Sequence, residues 1–266
     1  MSWWCSAQDS PWSWEWRAYP GVWLFVLTTT LLVIAWNRRA ALRSGEPPFR
    51  PPPAFWLGSL VLWLSLDWPL GALGAGYLAS IHTVQFLLMA LVAPPLLLRG
   101  IGPAALASLN RKGTAYRLID LLTTPLVALI GFNAVVLLTH LPAVVDTLMQ
   151  SQLGSFAVDM AWIGSGLVFW WPVCKDEPRR LRFVPALRIG YLVLGMMFSP
   201  VMFGIAGFLV YSHTPLYGVY ELAPPVGSLS GMPDQQLAGV LMSVGPALVA
   251  FVGITVIFFR WSRTES

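Results

Sequence analysis

The chain has 266 residues, of which 56% are hydrophobic and only 11% charged, with a formal charge of +4. A water-soluble fold of that composition lacks the polar side chains to cover its surface, so the chain reads as an integral membrane protein. Its excess positive charge sits in short connectors between apolar runs, which implies membrane lipids as partners and calls for no nucleic acid.

In chain order, residues 1–18 come first, rich in tryptophan: Trp3, Trp4, Trp12, Trp14 and Trp16. The first sixteen contain no Lys or Arg and no compact apolar stretch, so a signal peptide is not expected. Indole rings favour the membrane–water boundary, and this segment is expected to lie along the outer interface. A transmembrane domain over 19–260 and a cytoplasmic tail over 261–266 are expected to follow.

A helix needs about 20 mostly apolar residues to cross the hydrocarbon, with every backbone polar group bonded inside it. The runs free of Asp, Glu, Lys and Arg predict an all-α bundle of seven transmembrane helices. They fall at 19–37, 52–67, 77–98, 121–140, 154–173, 188–210 and 236–259. The second is the shortest and closes on Asp67-Trp68-Pro69. The stretch "PLGALGAG" after it is expected to be an outer loop or a re-entrant turn. Pro125 and Pro200 are placed to bend the fourth and sixth helices.

Charge placement fixes the expected orientation, because cytoplasmic loops carry the Lys and Arg excess. Arg38, Arg39, Arg43 and Arg50 follow the first helix; Arg99, Arg111, Lys112 and Arg117 the third; Lys175, Arg179, Arg180, Arg182 and Arg188 the fifth; Arg260 and Arg263 the seventh. Only Arg17 falls on the opposite side. The N-terminus is therefore expected outside and the C-terminus in the cytoplasm, with Cys5 and Cys174 on opposite faces and unable to join in a disulfide.

This topology collects His82, His140 and His213 on the outer side, together with Asp67, Asp146, Asp159, Glu221 and Asp234. At a rise of about 1.5 Å per residue, Asp159 lies roughly 7 Å inside its helix, a depth His82 shares. A carboxylate inside a bilayer is expensive and should face a partner. His82, His140 and Asp159 are accordingly the candidate first ligands of a copper or zinc ion at an outer mouth, with Gln85 and Asp234 as supporting partners.

The competing readings are ordinary. His140, in "THLP", ends its helix, where an imidazolium complements the dipole. Asp234 opens the seventh helix, where an acid is favoured as a cap. His213 lies in a loop. Met196, Met197 and Met202, around the "FSP" bend, read as core packing rather than thioether ligands. No phosphate-cradling glycine motif, nucleophile elbow, HExxH or CxxC is present, and the chain is not expected to be an enzyme.

Four stretches, "HTVQFLLMALVAPPLLLRG" (82–100), "THLPAVVD" (139–146), "FAVDMAWIGSGLVFWWPV" (156–173) and "DQQLAGVLM" (234–242), together resemble the multi-pass, seven-span bacterial cytochrome c oxidase assembly factors of the CtaG kind. The resemblance spans about residues 54–259. Members usually carry His-x-x-Gln-His in the third helix, His-Leu-Pro after the fourth and a Glu-His pair opening the fifth. Here His82, Gln85, His140, Leu141 and Pro142 match, whereas Phe86, Val158 and Asp159 replace the rest.

The resemblance implies a bacterial inner-membrane assembly factor for a haem-copper oxidase, in contact with that oxidase's subunits, with copper handling at the outer face as its chemistry. The alternative is a non-catalytic structural or accessory subunit of a respiratory or photosynthetic complex, built on the same scaffold with metal binding lost. A small-solute transporter is a third reading, without polar residues at mid-membrane to support it.

Overall fold

The computed structural model describes residues 2–8, 10–109, 113–175 and 184–265. Arg111, Lys112, Arg179, Arg180 and Arg182, which the orientation argument uses, lie outside these. The described chain is helical throughout, and its β pairing is an isolated bridge between Val226 and Leu229.

The long elements follow the apolar runs. Helix α1 spans Pro20–Ser44 and α2 spans Pro53–Leu66. The stretch expected as an outer loop or a re-entrant turn contains a short helix, α3 (Leu70–Gly76), bent 46° from α2. Asp67 makes the corner, accepting bonds from the indoles of Trp23 and Trp63 at 2.8 Å each and from the Trp68 amide at 2.9 Å. Helix α4 runs Ala79–Leu98, with a π-helical stretch at Leu87–Val92. After the short α5 (Pro103–Ala107), α6 (Thr114–Leu122) meets α7 (Pro125–Thr139) at a 77° bend. The fourth span was expected to start at 121. Pro125 takes the first turn of a new helix there, where its missing amide costs no bond.

Beyond α7 come α8 (Pro142–Leu148), α9 (Gln152–Cys174) and α10 (Pro185–Tyr211). Helix α10 breaks at Phe198–Ser199, as the "FSP" run suggests. The Ser199 hydroxyl accepts from the Met202 amide and donates to Asn133 Oδ1 of α7 at 2.7 Å, so the break stays bonded inside the bundle. A one-turn helix α11 (Gly218–Glu221) precedes α12 (Gly231–Glu265). Among the described residues five helices are long and apolar enough to cross a membrane, and up to seven if each bent pair counts as one span.

Helices α4 and α9 form the middle of the bundle. Helix α9 packs on α7 and α4, while α12 packs on α4 and α10. Met196 and Met202 lie in the core. On α1, Asn37 donates to the Gly100 carbonyl at 2.7 Å and accepts from the Gly102 amide at 2.9 Å, tying α1 to the turn after α4.

The N-terminal segment departs from the interfacial expectation. Trp14 and Trp16 are exposed, but Trp4 is 1% exposed, its ring edge-on to Phe156 at 5.0 Å and to Phe25 at 6.0 Å. The segment is pinned by its backbone: Trp3 and Trp4 amides donate to Gln152 Oε1 at 2.8 and 3.3 Å, and the Ala7 amide to the Met149 carbonyl at 2.9 Å. Cys5 is buried beneath it, its thiol donating to the Leu66 carbonyl at 3.3 Å. Burial, with Asp159 and Asp67 nearby, pushes that thiol well above its ordinary range, which disfavours the reactive thiolate. N-ethylmaleimide at neutral pH is therefore expected to leave Cys5 unmodified in the folded protein and to label it after denaturation, as peptide mass spectrometry reads directly.

Candidate functional site

His82 lies on the first turn of α4, and His140 caps the C-terminal end of α7. Both are almost fully buried, and their ring centroids are 6.2 Å apart. Around them stand Trp162 of α9, 4.8 Å from His82 and stacked on His140 at 5.8 Å, Phe86 at 5.1 Å from His140, and Tyr220 at 5.6 Å from His82. The imidazoles thus sit in a box of aromatic rings.

Hydrogen bonds set the orientation of His140. Its Nδ1 is 2.8 Å from the Val136 carbonyl. A carbonyl oxygen only accepts, so Nδ1 carries the proton and Nε2 of the neutral ring is left as a lone pair. The neighbouring Thr139 hydroxyl accepts from Trp162 Nε1 at 2.9 Å, which holds the indole against the ring. The Nε2 atoms of His82 and His140 are both buried without a hydrogen-bond partner.

The remaining expected site residues go elsewhere. Asp159 accepts a 2.7 Å bond from Trp4 Nε1. Among the described residues no three His, Cys, Asp or Glu side chains converge as a metal-holding group, so Asp159 does not complete one with the two histidines. Gln85, one turn below His82, donates to the Ser65 carbonyl at 2.8 Å. Asp234 was expected to cap its own helix. It caps the neighbouring one instead, accepting from the Ala79 amide at 2.6 Å, the Ser80 amide at 3.2 Å and the Ser80 hydroxyl, and so closes the N-terminus of the helix that carries His82. His213 is exposed in the loop after α10.

The close approach of α3 at Gly74 sets the height of His82. At Gly74 of α3 an added Cβ would fall 1.8 Å from Gln85 Oε1 and 3.0 Å from the His82 amide nitrogen, so only glycine permits the approach. The Gly74 carbonyl in turn accepts from the Tyr220 hydroxyl at 2.7 Å.

The sequence profile of the family described as cytochrome c oxidase caa3 assembly factor matches residues 23–264. The chain belongs to that family. No curated protein and no solved structure matches the chain. The match takes in every residue of the aromatic box and Asp234. It begins after the segment that carries Trp4, so the indole that occupies Asp159 in this assembly factor comes from outside the matched stretch.

Sequence reasoning missed Trp162, Trp4, Tyr217 and Tyr220. Trp162 carried a usable signal, because it lies three residues after Asp159 and so one turn along the same helix face. The others are joined to the site only by tertiary contact.

Proposed function

We propose that this membrane protein assists assembly of a haem-copper oxidase at the non-cytoplasmic face of the bacterial inner membrane, holding copper between His82 and His140 while it meets an incoming oxidase subunit. The role is non-catalytic. Family membership supports the assembly role, and the excess of Lys and Arg in the connectors on the other side supports the orientation.

One observation carries the copper reading: the Nε2 atoms of two neighbouring imidazoles, with ring centroids 6.2 Å apart, are both buried without a hydrogen-bond partner. Native interiors rarely leave such atoms unmatched, and two side by side point to a ligand. Imidazole nitrogen suits copper, whereas zinc in protein sites asks for three or four protein donors. With two neutral donors and no carboxylate or thiolate in the group, the box favours the singly charged cuprous ion. When bound, copper would be the cargo, and the open coordination positions would let a partner's ligands take it. Trp162, Phe86 and Tyr220 would exclude water. A direct bond from Asp159 would require Trp4 to leave its carboxylate.

The test is copper bound per chain by detergent-purified protein under reducing conditions, for wild type, His82→Ala and His140→Ala. Stoichiometric copper in the wild type and at least ~10-fold weaker binding in each variant are expected, since even supporting residues of metal sites have effects of that size. No binding above background in the wild type overturns the reading.

A second reading, a structural subunit that has lost metal, is favoured by Phe86, fully buried inside the box, and by the Trp4 indole on Asp159. It expects a stable, stoichiometric partner complex without copper after purification in mild detergent. The first reading expects transient association with an apo-oxidase.

A further inference from the structure

Residues 212–230, between α10 and α12, cross the mouth of the aromatic box. Within them α11 and its neighbours are held at four points by four different parts of the fold. The Tyr217 hydroxyl donates to the His140 carbonyl at 2.9 Å, and the Tyr220 hydroxyl to the Gly74 carbonyl at 2.7 Å. The Val219 amide donates to Asp146 Oδ1 of α8 at 3.0 Å, and the Leu216 amide to Gln235 Oε1 of α12 at 2.7 Å. Tyr217 and Tyr220 are buried with their rings 6.1 Å apart, and the Tyr220 ring lies 5.6 Å from that of His82.

The connector that follows α11 has the features of a hinge. Gly227, within a turn, and Gly231, at the start of α12, adopt positive φ, 62° and 59°, a backbone region that glycine enters freely. All four anchoring bonds are single hydrogen bonds, each of modest net worth; in 222–230 Leu222 is exposed, and Val226 and Leu229 are only partly buried, resting on Leu73, Tyr77 and Leu78. Beside α11 a cavity of about 10 Å³, lined by Ala79, Tyr217, Tyr220, Glu221 and Asp234, is too small for an ion with its hydration shell.

We propose that the segment 215–221 is a strap that closes the imidazole pair off from the outer solution, and that a ligand reaches His82 and His140 when the Tyr217 and Tyr220 hydroxyl bonds release together and the strap swings on its glycine-flanked connector. This rests on the reading of the imidazole pair as a binding site. It adds that access to the pair is controlled by the fold itself.

The experiment needs no metal. Diethyl pyrocarbonate acylates the free nitrogen of a neutral imidazole, and mass spectrometry of the whole purified protein reads the rate at each histidine. His213, exposed in the loop, reports the reagent's own rate.

Two perturbations act in opposite directions. In the first, the pair Gly218→Cys and Asp146→Cys is joined by oxidation. A Cβ at 218 lies 3.4 Å from Asp146 Oδ2 and 3.7 Å from its Cγ, a spacing a disulfide can bridge. In the second, Tyr217→Phe and Tyr220→Phe remove the two hydroxyls and keep the rings.

The oxidised pair is expected to slow acylation of His82 and His140 at least ~10-fold relative to the same protein reduced, with His213 unchanged. The double phenylalanine variant is expected to speed it roughly fivefold for each hydroxyl removed, the factor of a typical hydrogen bond. Equal rates at His82 and His140 in the oxidised and reduced forms, or in the phenylalanine variant and the wild type, overturn the strap. If these rates move as expected while the wild type binds no copper, the strap stands and the copper reading falls.

Discussion

Trp4→Ala is expected to destabilise the protein by about 3–5 kcal/mol, the range for removing a fully buried large aromatic side chain. The ring fills a space bounded by Phe156 and Phe25, and its indole N–H donates to Asp159. Truncation therefore leaves a cavity and a buried carboxylate without its donor, and each is costly. The two effects separate in a cycle. Asp159→Asn keeps an acceptor for the indole and is expected to cost about 1 kcal/mol. Asp159→Leu removes the stranded acid, so Trp4→Ala combined with Asp159→Leu should cost less than the sum of the two single changes by about 1–3 kcal/mol. Reversible denaturant unfolding in detergent, followed by tryptophan fluorescence, measures all four. A Trp4→Ala protein within about 1 kcal/mol of wild type would mean that residues 2–8 do not anchor the bundle.

Asp234→Ala is the second large effect, and it acts at a distance along the chain. Its carboxylate satisfies two amides and one hydroxyl at the start of α4. Their loss leaves buried donors without partners, at about 1–3 kcal/mol for each that water cannot reach, so a total of about 3 kcal/mol is expected. Asp234→Asn retains one acceptor and should cost about 1 kcal/mol. Hydrogen exchange resolves the location, with the Ala79 and Ser80 amides accelerating strongly while amides of α9 change little. Because His82 sits one turn further on, the alanine variant should also weaken any ligand bound between the histidines. Unchanged exchange at Ala79 and Ser80 would show that the cap is not what holds the start of α4.

The apolar runs were legible because a long helix must bond its own backbone and bury or face lipid with most of its side chains. Their interruptions were less so. Pro125 pointed to a bend, but the 77° corner depends on how α6 and α7 pack, and "PLGALGAG" reads as loop until α3 is seen pressed on α4 with Gly74 at the crossing. The same limit governed the polar residues. An acid beside a helix start was readable at Asp234, yet sequence spacing names only its own helix, and the start it caps belongs to another. For Asp159 the need for a partner followed from its depth, while the identity of that partner did not, because tryptophans near a terminus ordinarily rest at the interface. Counting residues placed His82 at the depth of Asp159 and His140 at the outer end of its helix, which puts both histidines on one side of the membrane. Their adjacency came from the packing of α4, α7 and α9, which hydropathy does not encode.

The cap on α4 also sets a calendar for biosynthesis. Ala79 and the carboxylate that completes its helix are 155 positions apart, so a ribosome has made both imidazoles long before it makes Asp234. Until the last helix threads in, the first turn of α4 lacks its acceptor and the box lacks a fixed wall. A chain released before α12 would carry both histidines without the carboxylate that caps the helix bearing His82.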